Sequence, residues 1–162
     1  MKHKYYFILS ILLIMLDQIS KNFIASKLDM NEIFVLNSFI NLTHVHNYGA
    51  AFSLFSDSIN MQQYFLPLAS ILASLVITFW ILRIDITKKL KIFSLSLMLA
   101  GAVGNLIDRV FLGFVEDFVS LHYHDWSFPV FNLADTLLFF GVILLLISDT
   151  KLNKKSKDKV NL

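Results

Sequence analysis

Asp17 and Lys21 stand four residues apart in a run of leucines and isoleucines, and Asn105 and Arg109 repeat that spacing in a second run. Asn132 and Asp135, three apart, open a third. Spacings of three and four put both members of a pair on one helix face. Charged groups in such apolar surroundings are costly and by default mark function. The reactive groups on offer are carboxylates: Asp108, Asp117 and Asp135, with Glu116 beside Asp117. Cysteine is absent, which removes a thiol nucleophile, disulfides and thiolate ligation of metals. Ser20 and Lys21 cannot form a nucleophile–base dyad, because adjacent helix positions face different ways. His44 and His46 alternate in a strand-like segment and share a face, as do His122 and His124. Two such pairs plus an aspartate would make a metal site, but no ligand spacing typical of a metalloprotease occurs. Neither metal nor cofactor is expected. Two carboxylates brought together are the best option: Asp117 would fold back toward Asp135. A close pair cannot easily ionise twice, so it shares one proton. One carboxylate then takes a proton from water while the other protonates the carbonyl oxygen of a scissile amide. This is aspartyl-protease logic.

The elements that must position these groups are membrane spans. Hydrophobic residues make up 56% of the 162, charged residues only 16%, and mean hydropathy is +0.65. A soluble domain of this length carries nearer a quarter charged residues. A spanning helix needs about 20 mostly apolar residues. Four windows qualify, at about 5–24, 64–82, 92–111 and 133–149, within a single membrane domain covering 1–162. Lys2 and Lys4 before the first run resemble the start of a cleavable signal peptide, but Asp17 and Lys21 interrupt the cleavage region, so the segment is expected to be retained. In the polar stretch at about 25–62, the segment Phe34 to Val45 is rich in β-branched and aromatic residues and partly alternates, which predicts one or two strands. The connection at about 112–132 is also non-helical in character. The fold class is therefore membrane α-helical with one or two strands outside the spans.

Basic residues set the orientation. The N-terminus, the connection around Arg83 to Lys91 and the tail after Thr150 take 11 of the 14 lysines and arginines. Both termini are expected in the cytoplasm, with the loops at about 25–62 and 112–132 outside. At a rise of about 1.5 Å per residue, Asp17, Lys21, Asn105, Arg109, Asn132 and Asp135 all fall about 18–24 Å from the cytoplasmic side. That is the outer third of a hydrocarbon core about 30 Å thick. The second helix supplies only Ser and Thr. Taken singly, each group has a plainer reading. Asp17–Lys21 would be an interfacial ion pair with Lys21 snorkelling outward, Arg109 beside Asp108 an anchor, and Asp135 a helix cap. Their coincidence at one depth points to a site.

Five blocks, in order along almost the whole chain, resemble lipoprotein signal peptidase, also called signal peptidase II. Asp17-Gln18-Ile19-Ser20-Lys21 is similar to the family's DQxxK, and His46-Asn47-Tyr48-Gly49-Ala50-Ala51-Phe52 to its NxGAAF. Gly101 to Arg109 is similar to GxxGNxxDR, Val115-Glu116-Asp117-Phe118 to the block of the first catalytic aspartate, and Phe128 to Asp135 to the FNxAD block of the second. Glu116 departs from a usually apolar position, and Thr136 stands where Ser is common. The resemblance implies a catalytic dyad of Asp117 and Asp135. It implies support or substrate contacts by Asp17, Lys21, Asn47, Gly49, Asn105, Asp108, Arg109 and Asn132. It further implies a small extracytoplasmic β-sheet at about 33–52, between helices 1 and 2, and a bacterial inner-membrane enzyme that cuts diacylglyceryl-modified prolipoproteins just before the lipidated cysteine. Its expected partners are those substrates, membrane lipids and globomycin-type lipopeptide inhibitors. No nucleic acid is expected, and one catalytic set per chain makes a monomer sufficient. Two other classes compete: a small transporter or channel component, and a non-catalytic assembly subunit. The first would carry polar residues on toward the cytoplasmic half of the spans, where helices 1 and 4 are almost purely apolar. The second would tolerate Asp117→Asn.

Overall fold

The four apolar windows fold as four helices, each long and apolar enough to cross a membrane. The computed structural model describes residues 3–49 and 64–160, with side chains described to residue 150. Lys2, Ala50, Ala51, Phe52 and the side chains of the basic tail therefore lie outside the described residues. In chain order the elements are α1 (Lys4–Ala25), β1 (Ile33–Val35), β2 (Ile40–Asn47), α2 (Leu66–Arg83), α3 (Lys89–Phe111), β3 (Val115–Tyr123), β4 (Trp126–Ser127) and α4 (Leu133–Val160). The spanning part of α4 is Leu133–Thr150.

α3 is the hub. Its apolar window is 61% buried, against 22% for each of the other three, and it packs against α1, α2 and α4. Lipid tails are as apolar as leucine, so close packing and polar contacts, not the hydrophobic effect, must hold these helices together. Small residues supply the packing. Ala100, Gly101, Ala102 and Gly104 are buried along α3. A side chain at Gly101 would strike the Ala134 carbonyl and Leu138 of α4, and one at Gly104 would lie 2.7 Å from Asp17 Oδ2 of α1. Ser10 adds a polar tie, donating to the Ser96 carbonyl of α3 at 3.0 Å. α2 meets α3 through an apolar cluster of Ile77, Ile81, Ile84, Ile92, Leu95 and Leu99. The lipid side of α1 is a stripe of exposed Ile8, Ile11, Leu12, Met15, Ile19 and Phe23, at the helical spacing of three and four.

The sheet is antiparallel with order β1-β2-β3-β4. It is not confined to the α1–α2 connection: β3 and β4 come from the α3–α4 connection, and both loops build one surface. β2 pairs with β3 through Val45↔Asp117, His46↔Glu116 and Asn47↔Val115, with an irregularity between Leu42 and Val45. There, Thr43 and His44 oppose one residue of β3, which is the count of a β-bulge. Because side chains alternate along a strand, Val115 and Asp117 turn to one face and Glu116 to the other.

Gly101→Val should push α3 and α4 apart, since the obstacle is backbone rather than a flexible side chain. We expect a loss of about 1–3 kcal/mol, read as a lower melting temperature of the purified protein in detergent. An unchanged melting temperature would contradict the α3–α4 packing described.

Candidate active site

The site is built around the N-terminus of α4. A helix begins with backbone N–H groups that lack intrahelical partners, and in a membrane they cannot be left bare. Asn132 Oδ1 accepts the Asp135 N–H at 2.9 Å, and Asp135 Oδ2 accepts the Asn132 N–H at 3.3 Å. This is the reciprocal arrangement of a capping box. The cap is therefore Asn132, while Asp135 sits in the first turn with its Oδ1 turned to the bundle. α1 supplies the third partner: Asp17 Oδ1 accepts the Ala134 N–H at 2.8 Å.

Lys21 is the second fixed point. Its ammonium lies 2.8 Å from Asp17 Oδ2, 2.8 Å from Asp108 Oδ2 and 3.0 Å from Asn105 Oδ1. Only 2% of its side chain is exposed, so it does not snorkel outward; its three donors have three acceptors inside the bundle. Gln18 completes the cluster, donating to Asp108 Oδ1 at 2.8 Å and to the Gly104 carbonyl at 3.2 Å.

The remaining amides connect this cluster to the two aspartates. Asn105 Nδ2 donates to Asp135 Oδ1 at 2.7 Å. Asn132 Nδ2 donates to Asp117 Oδ1 at 2.6 Å and to Asn105 Oδ1 at 3.1 Å. Asn47 Nδ2 donates to Asp117 Oδ2 at 2.9 Å, while its Oδ1 accepts the Gly49 N–H at 3.0 Å. Each amide has one end fixed by a group that can only donate: the Lys21 ammonium, the Asp135 N–H or the Gly49 N–H. Its NH2 is thereby turned to a carboxylate, so the three orientations follow from the network.

Asp117 is 2% exposed and lies outside the spanning helices. Burial, reinforced by the negative charge of Asp135, pushes its carboxyl up to about 7. Asn47, Asn132 and Lys21 oppose that rise. A carboxyl buried beside another negative charge keeps its proton to a higher pH than a free one.

Of the residues singled out in the sequence, Asp17, Lys21, Asn47, Gly49, Asn105, Asp108, Asn132, Asp117 and Asp135 join one hydrogen-bonded assembly. Arg109 stands apart: its Nη1 donates to the Asn105 carbonyl of its own helix at 3.3 Å. Among the described residues, no carboxylate oxygen lies within 4.0 Å of it. It acts on Asp135, Asp117 and Asp108 only at longer range. Gln18 joins the site without being singled out by the sequence, because Gly104 and Asp108, its partners on α3, lie 86 and 90 residues away. Its position between Asp17 and Lys21 was the one available signal.

Lys21→Met should leave Asp17 and Asp108 buried without a counter-ion. Removing one partner of a buried pair costs about 3–5 kcal/mol. We expect a large fall in melting temperature, partly recovered in the double variant Lys21→Met/Asp17→Asn. A single variant as stable as the wild type would show that the ammonium is dispensable.

Comparison with known proteins identifies the family. Residues 9–151 match the family described as signal peptidase (SPase) II. A lipoprotein signal peptidase of Buchnera aphidicola subsp. Schizaphis graminum is 44% identical over 149 residues, covering 90% of this chain and 96% of that protein. One of Cellvibrio japonicus is 40% identical over 153 residues, covering 93% and 89%. A solved bacterial membrane enzyme structure superposes with a TM-score of 0.81 at 31% identity, covering 91% of this chain and 88% of the other. With a matching family model over most of its length and relatives at this identity, the chain belongs to the signal peptidase II family.

Proposed function

We propose that the chain is an aspartyl endopeptidase that removes the signal peptide from diacylglyceryl-modified bacterial prolipoproteins, cutting just before the lipidated cysteine. The observation that carries this reading is the bridge made by Asn132. Its side-chain NH2 bonds Asp117, its side-chain oxygen accepts the Asp135 N–H, its own N–H donates to the Asp135 carboxylate, and both carboxylates are held at the head of one helix. The prolipoprotein substrate follows from the activity named for the relatives.

In the proposed reaction the pair carries one proton. The ionised carboxylate takes a proton from water as its oxygen attacks the scissile carbonyl, and the protonated carboxyl donates to the carbonyl oxygen. The tetrahedral intermediate collapses as the C–N bond breaks, and the proton taken from water passes to the leaving amine. Asn47, Asn105 and Asn132 hold the two aspartates. Lys21 compensates Asp17 and Asp108, and Arg109 lends longer-range positive charge.

The lipid portion of the substrate sets where the bond must be cut. A cysteine anchored by its acyl chains in the outer leaflet presents the preceding bond near the membrane surface. The orientation read from the basic residues puts both termini in the cytoplasm and the α4 N-terminus on the outer side. β1 and its turn expose Ile33, Phe34, Val35, Leu36 and Phe39. An apolar edge of this kind suits a sheet that rests on the outer leaflet beside the acyl chains. Globomycin-type lipopeptides would occupy the same site, and each chain carries a complete set of residues and works as a monomer.

The test is cleavage of a diacylglyceryl-modified prolipoprotein by purified wild type, Asp117→Asn and Asp135→Asn, each with and without a globomycin-type inhibitor. We expect inhibitor-sensitive cleavage by the wild type. Either variant should lose at least about 10²-fold in rate while keeping its melting temperature within a few degrees. Normal cleavage by either variant would discard the dyad. No cleavage by folded wild type would discard the peptidase reading.

A further inference from the structure

On the other face of β3 from Asp117 lies a second cluster that the peptidase chemistry does not use. His44 and His46 are two apart on β2, and His46 is paired across the strands with Glu116 of β3. One ligand-capable atom from each of the three residues falls within 4.8 Å of the other two. His44 Nε2 is 2.8 Å from Glu116 Oε2, and His46 Nε2 is 3.5 Å from Glu116 Oε1. Glu116 does not point to water: its side chain is only 12% exposed.

The hydrogen bonds around His44 settle what its ring can offer. Its Nδ1 lies 3.0 Å from the Leu28 carbonyl oxygen. A carbonyl can only accept, so Nδ1 carries the proton and the neutral ring turns a lone pair outward at Nε2. A metal-bound histidine is typically oriented this way, through a bond from its other ring nitrogen to a carbonyl. The 2.8 Å approach of Nε2 to Glu116 Oε2 has the distance of a hydrogen bond but not its alignment. Both atoms are buried and neither has a hydrogen-bond partner among the described residues. Two acceptors side by side repel unless something positive lies between them. Ligand atoms about 2.0–2.2 Å from a tetrahedral ion stand about 3.3–3.6 Å apart, and each lies off its neighbour's lone-pair axis. The 3.5 Å between His46 Nε2 and Glu116 Oε1 already falls in that range, and the 2.8 Å between His44 Nε2 and Glu116 Oε2 would open to reach it. The His46 ring is stacked on Phe114 with centroids 3.6 Å apart, which limits its rotation.

We propose that His44, His46 and Glu116 form a binding site for one divalent transition-metal ion of the zinc class. Two imidazoles and one carboxylate suit zinc, cobalt or nickel, whereas magnesium and calcium prefer oxygen throughout. The half-buried side of His46 leaves the fourth position to water. The ion is a staple and takes no part in hydrolysis. It ties β2 to β3 one residue away from Asn47 and Asp117, which turn the other way. None of the three residues has a part in the proposed hydrolysis, so the site does not rest on the proposed peptidase activity.

The experiment uses the full chain in detergent, made without a polyhistidine tag, stripped with chelator and titrated with Co2+ and then Zn2+. We expect one Co2+ per chain with the visible absorption of tetrahedral coordination, displaced by Zn2+, and a Zn2+-dependent rise in melting temperature that Mg2+ does not reproduce. His46→Gln and Glu116→Gln should abolish saturable binding, and Glu116→Val should do the same if either glutamine variant fails to fold. His122→Gln should bind like the wild type. Absence of one-to-one binding, or binding unchanged by both Glu116 variants, would overturn the site and leave a buried histidine–glutamate contact only.

Discussion

An ammonium group buried among helices in lipid can persist only if each of its protons meets an acceptor and its charge is balanced. Lys21 meets that condition with one acceptor from its own helix and two from α3. Two carboxylates beside one cation leave a local excess of negative charge, which the remaining donors must absorb. Gln18 takes up Asp108, and the first turn of α4 takes up the other oxygen of Asp17. The cation thus ties α1 to α3, Asp17 carries the contact on to α4, and Gly104 supplies the room for Asp17 to lie between them. The catalytic geometry proposed is downstream of this arrangement, since Asn105 is turned toward Asp135 by the same ammonium.

Direction matters as much as distance in this assembly. Every asparagine in it accepts from a group without an acceptor of its own and donates to a carboxylate. Donors consequently converge on Asp117 and Asp135. An aspartate in place of Asn132 would be nearly the same shape, yet it would turn two donors into acceptors facing acceptors. Low dielectric surroundings make such a mismatch expensive. The polar network therefore specifies residue type, and apolar packing around it specifies only size.

The spans, the gathering of polar groups from three helices and the pairs Asp17–Lys21 and Asn132–Asp135 were legible in the sequence, because each rests on local periodicity and on the cost of charge in lipid. The β2–β3 pairing was not. Its partners are about 70 residues apart, and a strand's register depends on a neighbour that the local pattern does not reveal. Lys21 with Asp108 and Asp17 with Ala134 escaped for the same reason. Asp135 as a simple cap was a fair local reading, but the reciprocal bond put the cap at Asn132. Lys21 was open to a snorkelling alternative, because sequence depth alone does not distinguish a long side chain reaching outward from one reaching inward. Glu116 and His44 lay in plain sight as single residues, and only the cross-strand register brought them together.

The first turn of α4 is finished by a side chain from α1, 117 residues earlier in the chain. A nascent chain therefore cannot satisfy the head of its last span until its first span is already docked against α3. The contact acts as a latch between the two ends of the molecule, closing only when synthesis has delivered both. Until then Asp117 and Asp135 share only the Asn132 bridge, and a partly made protein carries the two carboxylates without the α1 contact that completes the head of α4.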